Sequence, residues 1–266
     1  MTSKKRLKSG EATLKNVCDC FVSVIVPTLN EEKFVGLLFR SLKKQTYKDF
    51  EVIIVDGGSN DETLEMADEF KAKAVVKPRT PEFQSRNIGA KMARGEILLF
   101  TSADVIFRTD TVQRVVQEFE KDKSLGAVFG PGKLYNAPLW ARIEYALYYS
   151  LLGIYTKITK DFNGSTNFMA VRKTVFSKIG GFIERMDADG YFLNEVGNIS
   201  KAKFISNLSI LISGRRAKKM GFIGFNTHFL YALDAFFPFS RETKIIKTLE
   251  NYSLSYRKKQ KSAALS

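Results

Sequence analysis

Apolar and polar positions along the chain alternate between two rhythms. Phe21-Val22-Ser23-Val24-Ile25-Val26 is a β-branched run stopped by Pro27, and Phe50-Glu51-Val52-Ile53-Ile54-Val55 and Glu96-Ile97-Leu98-Leu99-Phe100 repeat the pattern. Runs of this length bounded by turn-type residues predict buried strands. Between them lie helical periods. Phe34, Leu37, Leu38 and Leu42 share one face of a helix expected after Asn30-Glu31-Glu32, and further helices are expected over 63–70 and 86–93, separated by a short strand Ala74-Val75-Val76. Strand and helix alternating at this spacing predict an α/β fold built on a mostly parallel sheet with right-handed crossovers. The loops after successive strands then gather on one edge, so 27–31, 56–58 and 102–104 are expected to be neighbours.

Farther along, Leu125-Gly126-Ala127-Val128-Phe129 predicts another strand, closed by Gly130-Pro131-Gly132. Leu139, Ile143, Ala146, Leu147 and Leu151 recur at helical spacing and are expected to form a core stripe; Trp140, Tyr145, Tyr148 and Tyr149 on the same helix are the alternative, ligand-facing set. A strand over 209–212 ends in Ser213-Gly214-Arg215-Arg216. Three regions follow: a mobile basic arm (1–20), a main α/β domain (21–220) and an amphipathic, basic C-terminal segment (221–266).

Charge narrows the partners. Forty-two Lys and Arg against 28 Asp and Glu give a formal charge of +14, which implies polyanionic company: a diphosphate, an anionic membrane surface or nucleic acid. Nucleic acid is disfavoured, because no nucleic-acid-binding motif accompanies the charge. The two cysteines, Cys18 and Cys20, support neither a disulfide framework nor a zinc site. Residues 1–10 are basic and polar with no apolar run behind them, and no apolar stretch reaches the roughly 18 residues of a spanning helix. A cytoplasmic protein, peripheral on the cytoplasmic membrane face, is expected. Within 222–239, Asn226, His228 and Asp234 interrupt an apolar stretch that Pro238 closes, so this segment is expected either to lie in a membrane interface or to pack on the domain through Phe222, Phe225, Phe229, Leu233 and Phe236.

The candidate chemistry sits at strand ends. Asp104 follows the run ending at Phe100, and reads either as a divalent-metal ligand or as a helix cap. Asp56, acceptor-only when ionised, precedes Gly57-Gly58, which lets the backbone approach a ligand closely. Arg86 could meet a phosphate, buttress Asp104 or stand on the surface near a helix start.

Four ordered motifs carry a resemblance. Val24-Ile25-Val26-Pro27-Thr28-Leu29-Asn30-Glu31-Glu32, then Val55-Asp56-Gly57-Gly58-Ser59 with Asp61 and Thr63, then Ser85-Arg86-Asn87 with Gly89-Ala90, and Ala93 with Gly95-Glu96 resemble the family-2 inverting glycosyltransferases of GT-A fold over roughly residues 21–220. The resemblance implies that Pro27, Thr28, Leu29, Glu31, Asp56 and Gly58 bind a nucleotide-sugar donor. It further implies that Ser102-Ala103-Asp104 stands where the family carries DxD, with Asp104 holding Mg2+ or Mn2+ against the diphosphate. Ser102 departs from that pattern. After Gly180-Gly181-Phe182, Asp187 matches the general base and Asp189 the further acidic position, while Met186 replaces the usual Glu; the alternative is that both aspartates cap a helix over 191–196. Arg215 and Arg216 are expected at the diphosphate or at a phosphate on the acceptor. The expected activity is transfer from a UDP- or GDP-sugar to a hydroxyl or a lipid phosphate with inversion at C1. The competing reading is an inactive relative that holds sugar nucleotide or binds through its basic surface.

Overall fold

A computed structural model of the chain describes residues 21–234 apart from Lys160, Asp161, Asn163 and Met186, with side chains as far as Asn226. The expected arm (1–20), Met186, and the side chains of His228, Phe229, Leu233 and Phe236 lie outside the described set.

The first half alternates as its periodicity requires: β1 (Val22–Thr28), α1 (Glu32–Lys43), β2 (Phe50–Asp56), α2 (Thr63–Glu69), β3 (Lys73–Val76), α3 (Glu82–Met92) and β4 (Ile97–Thr101). β5 (Val105–Ile106), α4 (Thr111–Lys121), β6 (Leu125–Phe129), β7 (Gly132–Tyr135) and α5 (Leu139–Thr159) follow. The chain then forms β8 (Phe168–Arg172), α6 (Lys173–Ile179), α7 (Ala188–Ile199), β9 (Lys201–Phe204), β10 (Ile210–Ser213) and α8 (Arg215–Asp234). α3 begins four residues ahead of the expected start at Arg86, because Pro81, with its extended backbone, supplies a natural helix entry.

The strands form a seven-stranded sheet in the order β3-β2-β1-β4-β8-β6-β9. Every pairing is parallel except those of β8, which runs antiparallel to both β4 and β6. The fold is therefore α/β with a central, mostly parallel sheet, as the pattern predicts. A second, three-stranded sheet, β5-β10-β7, sits beside it. β1, β2 and β4 are buried on both faces, which is why they read as unbroken apolar runs.

Two core layers cover the sheet. On one face Val35, Leu38, Phe39 and Leu42 of α1 and Val112, Val115, Val116 and Phe119 of α4 pack against Val22, Val24, Val26 and Leu99. Each fully buried side chain of this kind contributes roughly 1.5–3 kcal/mol. On the other face Ala90 of α3, Phe176 of α6 and Phe192 of α7 meet Ile25, Ile53, Leu98 and Phe100. α3 lies so close that a Cβ on Gly89 would stand 2.5 Å from Ile25 Cγ2.

Helix α5 corrects the leucine-stripe expectation. Leu139, Ile143, Leu147 and Leu151 are exposed, as is Ala146, whereas Ala141, Tyr149, Leu152 and Thr156 are buried. The aromatic face goes inward because the ring of Tyr149 fills the space over β7 and its hydroxyl accepts a hydrogen bond from the Gly132 N–H. α8 is kinked at Gly221, which takes a non-helical conformation (φ 67°). Phe225 beyond that break is buried, edge-on to Trp140 at 5.5 Å.

Candidate active site at the carboxyl edge

The first two loops are sewn together. The Asn30 N–H donates to the Ser59 hydroxyl (2.8 Å) and the Asn60 N–H donates to Asn30 Oδ1 (2.9 Å). The N–H groups of Glu31 and Glu32, which an α-helix leaves without partners in its first turn, donate to Thr63 Oγ1 (2.8 Å) and Asp61 Oδ2 (3.1 Å). The start of α1 is thus capped from the loop after β2, and Glu31 is fixed at the sheet edge. Asn30 itself adopts φ 54°, a left-handed conformation that Asn tolerates.

Asp56 ends β2 completely buried. Its Oδ1 accepts the N–H groups of Gly58 (2.9 Å) and Ser59 (2.7 Å), and its Oδ2 accepts the hydroxyls of Thr28 (2.7 Å) and Ser59 (2.6 Å). Gly58, at φ 96°, permits the turn. Asp56 therefore uses its acceptor capacity to shape the loop, and direct contact with a base or ribose requires the Ser59 hydroxyl to turn away. Leu29 is exposed at the loop tip and Pro27 half-buried. Ala103 packs into the core, leaving only its backbone for a ligand.

Arg215, at the start of α8, joins two carboxylates. Its Nη1 and Nη2 each lie 2.7 Å from an oxygen of Glu31, its Nε lies 2.9 Å from Asp104 Oδ2, and its guanidinium stacks over Phe34 at 4.4 Å. Burial pushes the Glu31 carboxyl upward against the opposing pull of Arg215, while the Arg215 pKa is raised by its hydrogen bond to Glu31 and by both acids. Arg216 is exposed beside Tyr145 and does not join this cluster.

Arg86 is the largest fully buried side chain and not a surface cation. Nη1 pairs with Glu82 at 2.7 Å, and Nη2 donates to the Thr101 carbonyl (3.4 Å) and the Ser102 hydroxyl (3.3 Å). Ser102 in turn donates to Asn167 Oδ1 (2.7 Å). The residue that replaces the first acid of DxD is therefore a link between Arg86 and the loop before β8. Arg86 braces the end of β4 two residues short of Asp104.

The two aspartates of the α7 start point apart. Asp187 is exposed and ion-paired with Arg185, whose Nη2 lies 2.7 Å from Oδ2. Asp189, two residues on, faces inward. Thr166 donates to it through both its hydroxyl and its N–H, yet Asp189 Oδ1 has no accessible surface and no hydrogen-bond partner. Burial pushes its carboxyl up to about 6, offset in part by the Arg86 cation and reinforced by Glu82. Tyr148 responds to the Asp189 charge and Tyr145 to that of Asp104, so the inner face of α5 borders the same site. Burial raises both phenols, and they remain neutral donors at physiological pH.

Among the described residues no group of three or more His, Cys, Asp and Glu forms a ready cation cage. Asp104, with Glu31 nearby, nevertheless suits a small hard cation that keeps several waters and takes its other ligands from phosphate oxygens. The Arg215 guanidinium already marks the place between those two acids as one for positive charge.

The model of glycosyl transferase family 2 matches residues 23–180. The chain belongs to this family. It is 28% identical over 164 residues to an uncharacterized glycosyltransferase of Haemophilus influenzae, covering 60% of this chain and 55% of that one. It is 37% identical over 99 residues to the poly(ribitol-phosphate) beta-N-acetylglucosaminyltransferase TarS of Staphylococcus aureus, covering 34% of this chain but 17% of TarS. The chain thus spans little more than half, or far less, of the curated relatives it matches. In structure it resembles a mannosyltransferase of Pyrobaculum calidifontis in complex with GDP-Man and Mn2+ (TM-score 0.64, 20% identity, 88% of this chain and 69% of that one). These GT-A neighbours agree with the family-2 fold found here.

The structure brings the sequence candidates Glu31, Asp104 and Arg215 together and gives Asp189 a partner, Thr166, that the sequence did not single out. Thr166 and Asn167 had been readable only as small polar residues before a strand. The reversed direction of β8 brings them to the sheet edge, and no local pattern announces that reversal.

Proposed function

We propose that this chain transfers a sugar from a UDP- or GDP-sugar to a hydroxyl or lipid-phosphate acceptor with inversion at C1, and that Asp189, not Asp187, is the general base. The observation that carries the assignment is the buried, unpartnered Oδ1 of Asp189 beside Arg86. A base needs a free lone pair and a pKa near the working pH, and Asp189 has both features; Asp187 is instead committed to Arg185 at the surface.

The acceptor oxygen attacks C1 while the bond from C1 to the diphosphate oxygen breaks. Asp189 Oδ1 takes the acceptor proton, and the nucleoside diphosphate leaves from the opposite face with the bonding electron pair. Thr166 holds the carboxylate in orientation. Arg215 lends positive charge to the departing diphosphate, and Glu31 and Asp104 hold its guanidinium in place. Asp104 is the residue that would hold Mg2+ or Mn2+, a Lewis acid whose charge neutralises the leaving group when bound.

The test is release of UDP or GDP from a panel of nucleotide sugars with Mn2+, with and without candidate acceptors, in wild type and Asp189→Asn. Turnover by the wild type and its loss in the variant, with donor affinity retained, is the expected result. Binding of donor without turnover under any condition would favour the inactive-binder reading, and full turnover in Asp189→Asn would return the base to Asp187.

A further inference from the structure

We propose that the outward face of α5 docks this protein on an anionic lipid bilayer and that its acceptor is consequently a membrane-borne amphiphile; the acceptor half rests on the glycosyltransferase reading, the docking half does not. Leu139, Ile143, Leu147, Leu151, Ile154 and Ile158 are 68%, 58%, 54%, 38%, 58% and 76% exposed. Their spacing of three or four residues lines them along one face for nearly the whole helix, roughly 30 Å at 1.5 Å per residue. A surface helix ordinarily turns mostly polar side chains outward, whereas α5 carries a continuous aliphatic stripe on its exposed side, with Tyr149 and Leu152 on its buried side. The patch continues onto α8, where Phe222 and Ile223 are 59% and 78% exposed and Trp140 meets Phe222 edge-on at 5.2 Å. A contiguous apolar surface of this extent marks a site of association.

Charge selects the occupant. Arg142 and Lys157 are exposed on α5, where Glu144 is the one acid, and Arg216, Lys218 and Lys219 are exposed at the start of α8. In a chain of net charge +14, a second copy would bring like charges against like, whereas anionic headgroups complement the basic rim and acyl chains the aliphatic stripe. No described helix is long and apolar enough to cross a membrane, so α5 lies along the interface and does not span it. The opposite face of the same helix carries Tyr145 and Tyr148, next to Asp104 and Asp189. Docking therefore holds the reaction centre one helix diameter from the headgroups, within reach of a hydroxyl or phosphate on an anchored molecule and a poor position for a freely diffusing one.

Flotation of the full chain with phosphatidylcholine vesicles, plain or containing about one third phosphatidylglycerol, tests this. Wild type is expected to float with the anionic vesicles at low salt and to be released by high salt. The triple variant Ile143→Ser, Leu147→Ser, Ile154→Ser is expected to lose at least tenfold in vesicle affinity while keeping wild-type Tm and UDP or GDP affinity. Equal flotation of the triple variant, or a wild type that ignores anionic vesicles, overturns the proposal. So does a dimer that the triple variant converts to monomer in sedimentation, since the face would then join two copies. Asp189→Asn should float like wild type, which separates the two readings: a protein that floats without transferring sugar fails only as an enzyme, and one that transfers sugar to a soluble acceptor without floating fails only as a membrane-docked one.

Discussion

Arg215 Nε stands 2.9 Å from Asp104 Oδ2, so the carboxylate expected to hold a metal is already paired with a guanidinium that it shares with Glu31. Mn2+ without donor must then compete with a fixed cation, and only the diphosphate brings enough negative charge to accommodate both. Wild-type protein is expected to bind Mn2+ alone weakly and Mn2+ with UDP or GDP well. Arg215→Met should tighten binding of Mn2+ alone several-fold and weaken the diphosphate complex about tenfold or more, the loss of one charge-assisted contact. Titration of Mn2+ followed by electron paramagnetic resonance reads both, and unchanged Mn2+ affinity in the variant would mean that Asp104 is not the metal anchor.

Asp189→Asn and Asp187→Asn should separate cleanly. The first is expected to reduce turnover by about two to four decades with little change in donor affinity, and the second by less than about threefold. Single-turnover kinetics with calorimetric donor binding measures the difference. Equal losses would place both residues in one chemical role.

The same carboxyl makes activity and stability move in opposite directions with pH. Because Asp189 is pushed up to about 6, activity should fall tenfold per pH unit below that value as the base becomes protonated. From about pH 4 to 6 the unfolded chain releases this proton while the folded chain retains it, so stability declines through that window and stays lower above it. Asp189→Asn should therefore raise stability by about 1–3 kcal/mol at pH 7.5 and by almost nothing at pH 4. Denaturant unfolding at the two pH values decides, and a destabilised variant at pH 7.5 would contradict the burial cost assigned to this group.

Arg86 counters that cost from beneath the site. Arg86→Met removes the cation that favours ionised Asp189 and leaves Glu82 behind, so the acid limb of the pH–rate profile should move upward by about one pH unit. A variant that loses rate uniformly at all pH values would show Arg86 to act only on the fold.

Gly89→Ala tests the close seat of α3 on the sheet. Its Cβ would meet Ile25 Cγ2 at 2.5 Å and Val55 Cγ2 at 3.3 Å, so the helix must lift or both side chains must shift. A loss of about 1–3 kcal/mol is expected by thermal or chemical unfolding, typical of an overpacked core.

The sheet centre was legible because strands buried on both faces leave unbroken runs such as Ile97–Thr101. The gathering of Glu31, Asp56 and Asp104 followed from strand direction alone. The faces of α5 were not legible, because leucine and tyrosine both read as core and hydropathy cannot say which side of a doubly apolar helix the protein keeps. Arg86 escaped for a related reason: arginine is rarely buried, and its partners Glu82, Thr101 and Ser102 become neighbours only when α3 lies against β4. Asp187 and Asp189 are two residues apart, and whether the first or the second faces inward depends on where α7 begins, a boundary that sequence locates poorly.

The reversed strand β8 gives the molecule a ruler. Its pairing Thr101↔Phe168 sets Ser102 opposite Asn167, and Thr166, one residue farther, receives Asp189. The span between Ser102 and Asp189 is thus counted out in backbone hydrogen bonds. A register slip of one residue would turn Phe168 and Ala170 out of their core layer and Met169 out of the other, so the core itself penalises any change in that span. Molecules of a different size bound at this edge must accordingly be admitted by the surrounding loops, with the gap between Ser102 and Asp189 held constant.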